Sequence, residues 1–112
     1  MLTDECEFAL DILVFGDRLN AQHKFVVANQ IIESGTAVGA LIHEAQFAES
    51  KLDSIHKLRL TPKEANETLY WLELCEQTND YLFTEALTLC SITIRIPLHR
   101  RMKVIFLSLQ YK

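Results

Sequence analysis

The chain has 112 residues, of which 49% are apolar and 23% charged; this fits one globular domain with its own core and argues against disorder. Only three Gly and two Pro argue against a turn-rich β-sandwich. The formal net charge of −4 hides an asymmetry: residues 1–85 hold all 15 acids and six bases (net −9), whereas residues 86–112 hold five bases and no acid (net +5). An acidic body with a basic end bears on partners rather than on fold.

The N-terminus, Met1-Leu2-Thr3-Asp4-Glu5-Cys6-Glu7, lacks the positive flank of a signal peptide. No uncharged apolar run approaches the roughly 20 residues of a membrane span. A soluble, cytoplasmic protein with no membrane partner is expected. Cys6, Cys75 and Cys90 are odd in number and form no C-x-x-C pair, which fits a reducing compartment.

Phe8, Ile12, Phe15 and Leu19 step by four, three and four, one stripe of a first helix over 5–19. Asn20 to His23 is a polar break. Val27, Ile31, Ser34, Val38, Leu41, Ala45, Ala48 and Leu52 continue the alternation, the seam of a bundle helix expected over 24–49. Gly35 and Gly39 lie beside that seam, four apart. Each costs about 1 kcal/mol relative to Ala inside a helix, so Ser34, Gly35 and Gly39 are read as a helix-packing motif that brings the second and third helices close. A phosphate loop needs more glycines and a following Lys-Ser/Thr.

The third helix is expected over 51–77, on Ile55, Leu58, Pro62, Ala65, Leu69 and Leu72. Pro62 in its interior implies a kink or a break. Thr78-Asn79-Asp80 is a turn cluster. A fourth helix over 83–96 uses Ala86, Leu89, Thr93 and Ile96, with Leu87 and Cys90 alongside, and Pro97 ends or bends it. Residues 97–112 form a tail in which the basic Leu98–Lys103 stretch precedes Val104-Ile105-Phe106-Leu107-Ser108-Leu109. That uncharged, β-prone run calls for cover by the bundle or by another protomer. The reading is an all-α, antiparallel up-down four-helix bundle over residues 1–96, with the tail as an appendage.

Ser34-Gly35-Thr36-Ala37-Val38-Gly39-Ala40, Glu44-Ala45, Ala48-Glu49-Ser50, Ile55-His56-Lys57-Leu58 and the run from Lys63 to Leu74 together resemble the bacterial 23S ribosomal RNA intervening-sequence proteins. The resemblance covers roughly residues 8–94. It implies an antiparallel four-helix bundle, a ring-shaped homopentamer, no enzymatic activity and no cofactor. Related retroelement accessory proteins bind nucleic acid and a reverse transcriptase. Two departures stand out: Pro62 replaces a helix former, and the chain after about Ile94 does not fit the pattern.

Chemical constellations are sparse. Asp53-x-x-His56 has di-iron spacing, but the second helix does not repeat it, so no metal site is expected. Ser50, Asp53 and His56 make a triad on paper only, all within two turns of one helix. Tyr70-Trp71 resembles a stacking platform for bases, but an aromatic pair on a bundle helix is more often core, and it is read so here. His56, Arg59 and Lys63 share a helical face and, with Lys57, form a basic stripe suited to phosphates. Arg95, Arg100, Arg101 and Lys103, together with His99, form a denser cluster without neighbouring acids. The expected partners are further copies of the chain and RNA, or alternatively a protein bound by an oligomeric scaffold.

Overall fold

The computed structural model describes residues 4–82 together with 85, 86, 88–90, 92 and 93. The first helix, α1, runs Asp4–Ala21, α2 runs Phe25–Gln46 and α3 runs Lys51–Glu76; a 3₁₀ turn, Asn79–Tyr81, follows. The described residues between 85 and 93 are all helical, and no strand occurs among the described residues. The described residues form an all-helical bundle.

The stripe of α1 is buried as its spacing predicts, with Phe8, Ile12, Phe15 and Leu19 all inside. At the end of α1, His23 takes a positive φ of 63°, and the Lys24 amide donates to the Leu19 carbonyl at 2.9 Å. This closes the helix without the glycine usual at such a position. The polar break expected at Asn20–His23 is this turn.

In α2 the innermost seam is Ala28, Ile31, Gly35, Val38, Ile42 and Ala45, with Ser34 buried beside it. Ile31, Ser34, Val38 and Ala45 are where the spacing placed them. Val27 and Leu41 are only half-buried flanks, and Leu52 is 77% exposed. The difference has a physical reason: α2 has a neighbour on each side, so its buried face is wider than a two-helix seam and is centred one residue further on. The 22 residues of α2 are long and apolar enough to cross a membrane by length and composition. Its apolar face is nevertheless packed between α1 and α3, as in the core helix of a bundle.

The glycines pack differently from expectation. A Cβ on Gly35 would lie 2.8 Å from Cγ2 and 2.9 Å from Cγ1 of Ile12, so Gly35 makes room for α1, not α3. Gly16 on α1 returns the favour, since a Cβ there would collide with Cγ1 of Ile32. Ile12 with Gly35 and Gly16 with Ile32 form two reciprocal notches, with numbers rising on one helix as they fall on the other. Gly39 lines a cavity with Cys6 and Ala9.

Between α2 and α3 the buried contact is polar. Thr68 Oγ1 lies 2.9 Å from Ser34 Oγ, 2.9 Å from the Glu64 carbonyl, and Ser34 Oγ donates to the Gln30 carbonyl at 2.8 Å. Two hydroxyl protons cannot serve three contacts at once, so two are made in any one arrangement. Thr61 and Thr93 likewise bond the carbonyls of Lys57 and Leu89, four residues back. The buried hydroxyls of Ser34, Thr61, Thr68 and Thr93 each have a carbonyl of their own helix within reach, whereas the buried Nε1 of Trp71 has no partner among the described residues.

The second helix stops at Gln46, earlier than the expected residue 49, because the next start claims the chain. Ser50 is extended and its side chain caps α3 by accepting from the Asp53 amide at 3.1 Å. Ser54 Oγ donates to the Ala45 carbonyl at 2.8 Å and ties the two ends together. Of the kink or break expected at Pro62, the break does not occur, for α3 continues through it to Glu76. Proline removes one amide donor, but Ile55, Leu58, Thr61 and Ala65, Thr68, Leu72 are buried on either side of it and keep both halves packed as helix. Of the fourth segment, Ala86, Leu89, Cys90 and Thr93 are buried. Leu87 and Ile96 lie outside the described side chains.

Candidate nucleic-acid interface

His56, Arg59 and Lys63 are all exposed on α3, as their spacing of three and four requires. The rise of a helix puts the first and last about 10 Å apart. Among the described residues neither Arg59 nor Lys63 has an ion-pair partner. Lys57 does not belong with them. It turns toward α2, where its Nζ lies 3.3 Å from Glu44. Glu67, one turn after Lys63, is exposed and bounds the stripe. Arg95, Arg100, Arg101 and Lys103 lie outside the described residues.

The expected core pair Tyr70-Trp71 splits. The rings meet edge-on with centroids 5.1 Å apart, yet Tyr70 is 56% exposed and only Trp71 packs against the core. Tyr70 falls on the same exposed face as Lys63, two turns on. Nothing in the residue types separates an inward from an outward aromatic; only the position of the buried Thr68 and Leu72 does. The Ser50 oxygen caps α3 by accepting from the Asp53 amide, and among the described residues neither Ser50 nor Asp53 bonds His56, so the paper triad does not assemble. No group of three or more metal-ligating side chains converges among the described residues.

Elsewhere the titratable groups are structural. Burial raises the thiols of Cys75 and Cys90 to about 11, and at Cys90 the carboxylates of Glu76 and Glu73 add to the effect. Glu85 is held below its usual range first by its own backbone amide and then by Arg18, 2.8 Å away. Sequence reasoning missed this pair because its members are 67 residues apart. It also missed Gly16, whose only signal is a glycine between two stripe residues, Phe15 and Leu19.

Fold and site thus define a helical bundle with a short basic stripe on an outer helix. The chain belongs to the 23S rRNA-intervening sequence protein family, whose model matches residues 2–94. It is similar to a solved protein of unknown function from the S23 ribosomal protein family of Bacteroides thetaiotaomicron. The two are 36% identical over 90% of this chain and 94% of that one, with a TM-score of 0.81. No curated protein matches it. Neither description names an enzymatic activity. The family match ends at residue 94, just before the basic cluster begins at Arg95.

Proposed function

We propose that the protein is a non-enzymatic, self-assembling bundle that associates with structured RNA of the ribosomal intervening-sequence type in the cytoplasm. The observation that carries this reading is the unpaired stripe of His56, Arg59 and Lys63 on the exposed face of α3, in a family described by ribosomal RNA. The opposed registers of α1 with α2 and of α2 with α3, and the Arg18–Glu85 link from α1 to the fourth segment, support an antiparallel up-down four-helix arrangement. A single stripe is weak. A ring of five, the assembly the resemblance implies, presents it five times and raises avidity without a new contact.

The test is binding to a structured ribosomal RNA fragment across a salt series. Binding should weaken with salt, and reversing Arg59 and Lys63 to Glu should lower the slope of log affinity on log salt by roughly two per protomer engaged. Equal slopes for both proteins would remove α3 from the interface. A protein-binding scaffold is the second reading, favoured by the apolar side chains left exposed on α1 (Leu10, Leu13, Val14) and α3 (Tyr70, Leu74). Light scattering with and without RNA separates the two: an RNA-dependent mass supports the first, and a mass indifferent to RNA supports the second.

A further inference from the structure

The outer face of α3 carries more than cations. His56, Lys63 and Tyr70 are spaced by seven residues, two helical turns, so they fall nearly in line at intervals of about 10 Å. Arg59 lies beside the first half of this line, Asn66 and Glu67 beside the second, and all are exposed. The face therefore divides in two. From His56 to Lys63 it offers basic side chains that no carboxylate engages among the described residues. From Asn66 to Tyr70 it offers an amide, a carboxylate and an aromatic ring. A phosphate suits the first part, but Glu67 repels one at the second. Tyr70 is 56% exposed, yet its ring is propped: it meets Trp71 edge-on, at 5.1 Å and 76°, and Trp71 packs against the core. In an edge-on pair at most one face of a ring is covered by the other, so a face of Tyr70 stays clear of Trp71.

We propose that Tyr70 is a stacking site for an unpaired base, so that α3 takes a single-stranded stretch of RNA with its phosphates on Arg59 and Lys63 and a base on Tyr70. The proposal rests on the RNA reading and adds the form of the RNA. A duplex keeps its bases stacked on one another and shows a side chain only phosphates, sugars and base edges, so an exposed ring is of no use to it. Single-strand sites join a cationic track for the backbone to aromatic rings for the bases, the two elements that α3 places in line. Glu67 fits the same division. Beside a phosphate it can only repel, whereas beside a base it can accept from an exocyclic amine. Propped on Trp71 and with two side-chain torsions, Tyr70 loses little freedom when a base settles on it. Tyr70 and the exposed Leu74, one turn on, also suit a protein partner, but the unpaired cations in line with them favour nucleic acid.

The experiment uses the full chain and two RNA probes, an unstructured mixed-sequence strand of about 16 nucleotides and a blunt duplex with the same phosphate count. Binding is followed by fluorescence anisotropy across a salt series. Tyr70→Ala should weaken the single strand roughly five- to a hundredfold through loss of one stacked base, with the salt slope and the duplex affinity unchanged. Tyr70→Trp should keep the single-strand affinity. Light scattering of Tyr70→Ala should give the mass of the parent. Iodouridine placed in the strand should cross-link on irradiation to Tyr70 of the unaltered protein, a readout that needs no variant. An undiminished single-strand affinity in Tyr70→Ala, an equal loss on the duplex, or a cross-link on another residue overturns the proposal and leaves the RNA reading standing. A changed mass in Tyr70→Ala assigns the ring to a protein contact and overturns it as well. Failure of both probes to bind at low salt removes the RNA reading itself, and the proposal with it.

Discussion

Replacing Gly35 by Ala tests the close approach of α1 and α2 most directly. In an unconstrained helix the change stabilises by about 1 kcal/mol. Here the new methyl would lie 2.8, 2.9 and 3.0 Å from Cγ2, Cγ1 and Cδ1 of Ile12. Carbon atoms rest at about 3.5–4.0 Å, so Ile12 or the helix must retreat by roughly 0.5–1 Å. Ile12 is fully buried, so it cannot swing aside into solvent and must shift within the core. Overpacking of this kind costs about 1–3 kcal/mol, which outweighs the propensity gain and leaves a net loss of about 1 kcal/mol. The assay is urea unfolding followed by helical circular dichroism, at two protein concentrations so that assembly is separated from folding. Ile12→Ala removes all three clashing atoms and alone should cost about 2–5 kcal/mol. In the double variant the new methyl occupies part of the vacated space. The pair should therefore be less destabilised than the sum of the singles, by about 1–2 kcal/mol. A stabilised Gly35→Ala protein, with effects additive to those of Ile12→Ala, would refute the notch.

Ser34→Ala should cost only about 0.5–1.5 kcal/mol in the same assay, because Thr68 still reaches the Glu64 carbonyl; a loss above 3 kcal/mol would mean the hydroxyls act as one network. Pro62→Ala restores an amide donor to an unbroken helix and should raise stability by about 1–3 kcal/mol, so a lowered urea midpoint would show that α3 needs its proline. At pH 8 a thiol raised to about 11 is ionised to roughly one part in a thousand, so timed alkylation with mass mapping should modify exposed Cys6 first and Cys75 and Cys90 on the order of a hundredfold more slowly. Those two thiols ionise near 9.0 when exposed but near 11 in the fold, so the folded state retains protons that the unfolded state releases. Stability complete below pH 9 should therefore fall as pH rises toward 11, and Cys75→Ala with Cys90→Ala should flatten that decline.

Much of the fold was legible because α1 states it plainly: four large apolar residues at helical spacing, all buried. The family resemblance was equally legible and is met over residues 2–94. In α2 and α3 the spacing was right, with Ile31, Ser34, Val38, Ala45, Ile55, Leu58, Ala65 and Leu72 all buried, and only the positions between them shift by a residue. Thr61 and Thr68 look polar in sequence, yet hydroxyls that bond a carbonyl four residues back enter a core at little cost, so apolar patterning passes over them. At Pro62 a kink or a break was open, and the break is absent because residues on both sides of the proline are buried. Of the stripe, His56, Arg59 and Lys63 followed from periodicity. Lys57 did not, because its ion pair with Glu44 depends on which way α3 is turned toward α2. Tyr70 and Trp71 were indistinguishable until the buried positions around them were known.

The two isoleucine notches have a consequence for how this chain can vary. Both sit on the seam between α1 and α2, and together they forbid one helix from sliding a turn along the other without ejecting two side chains. The tightest glycine contacts among the described residues therefore fall away from the outer face of α3. Charge on that face can change without disturbing these notches, so the packing of α1 on α2 sets no limit on it.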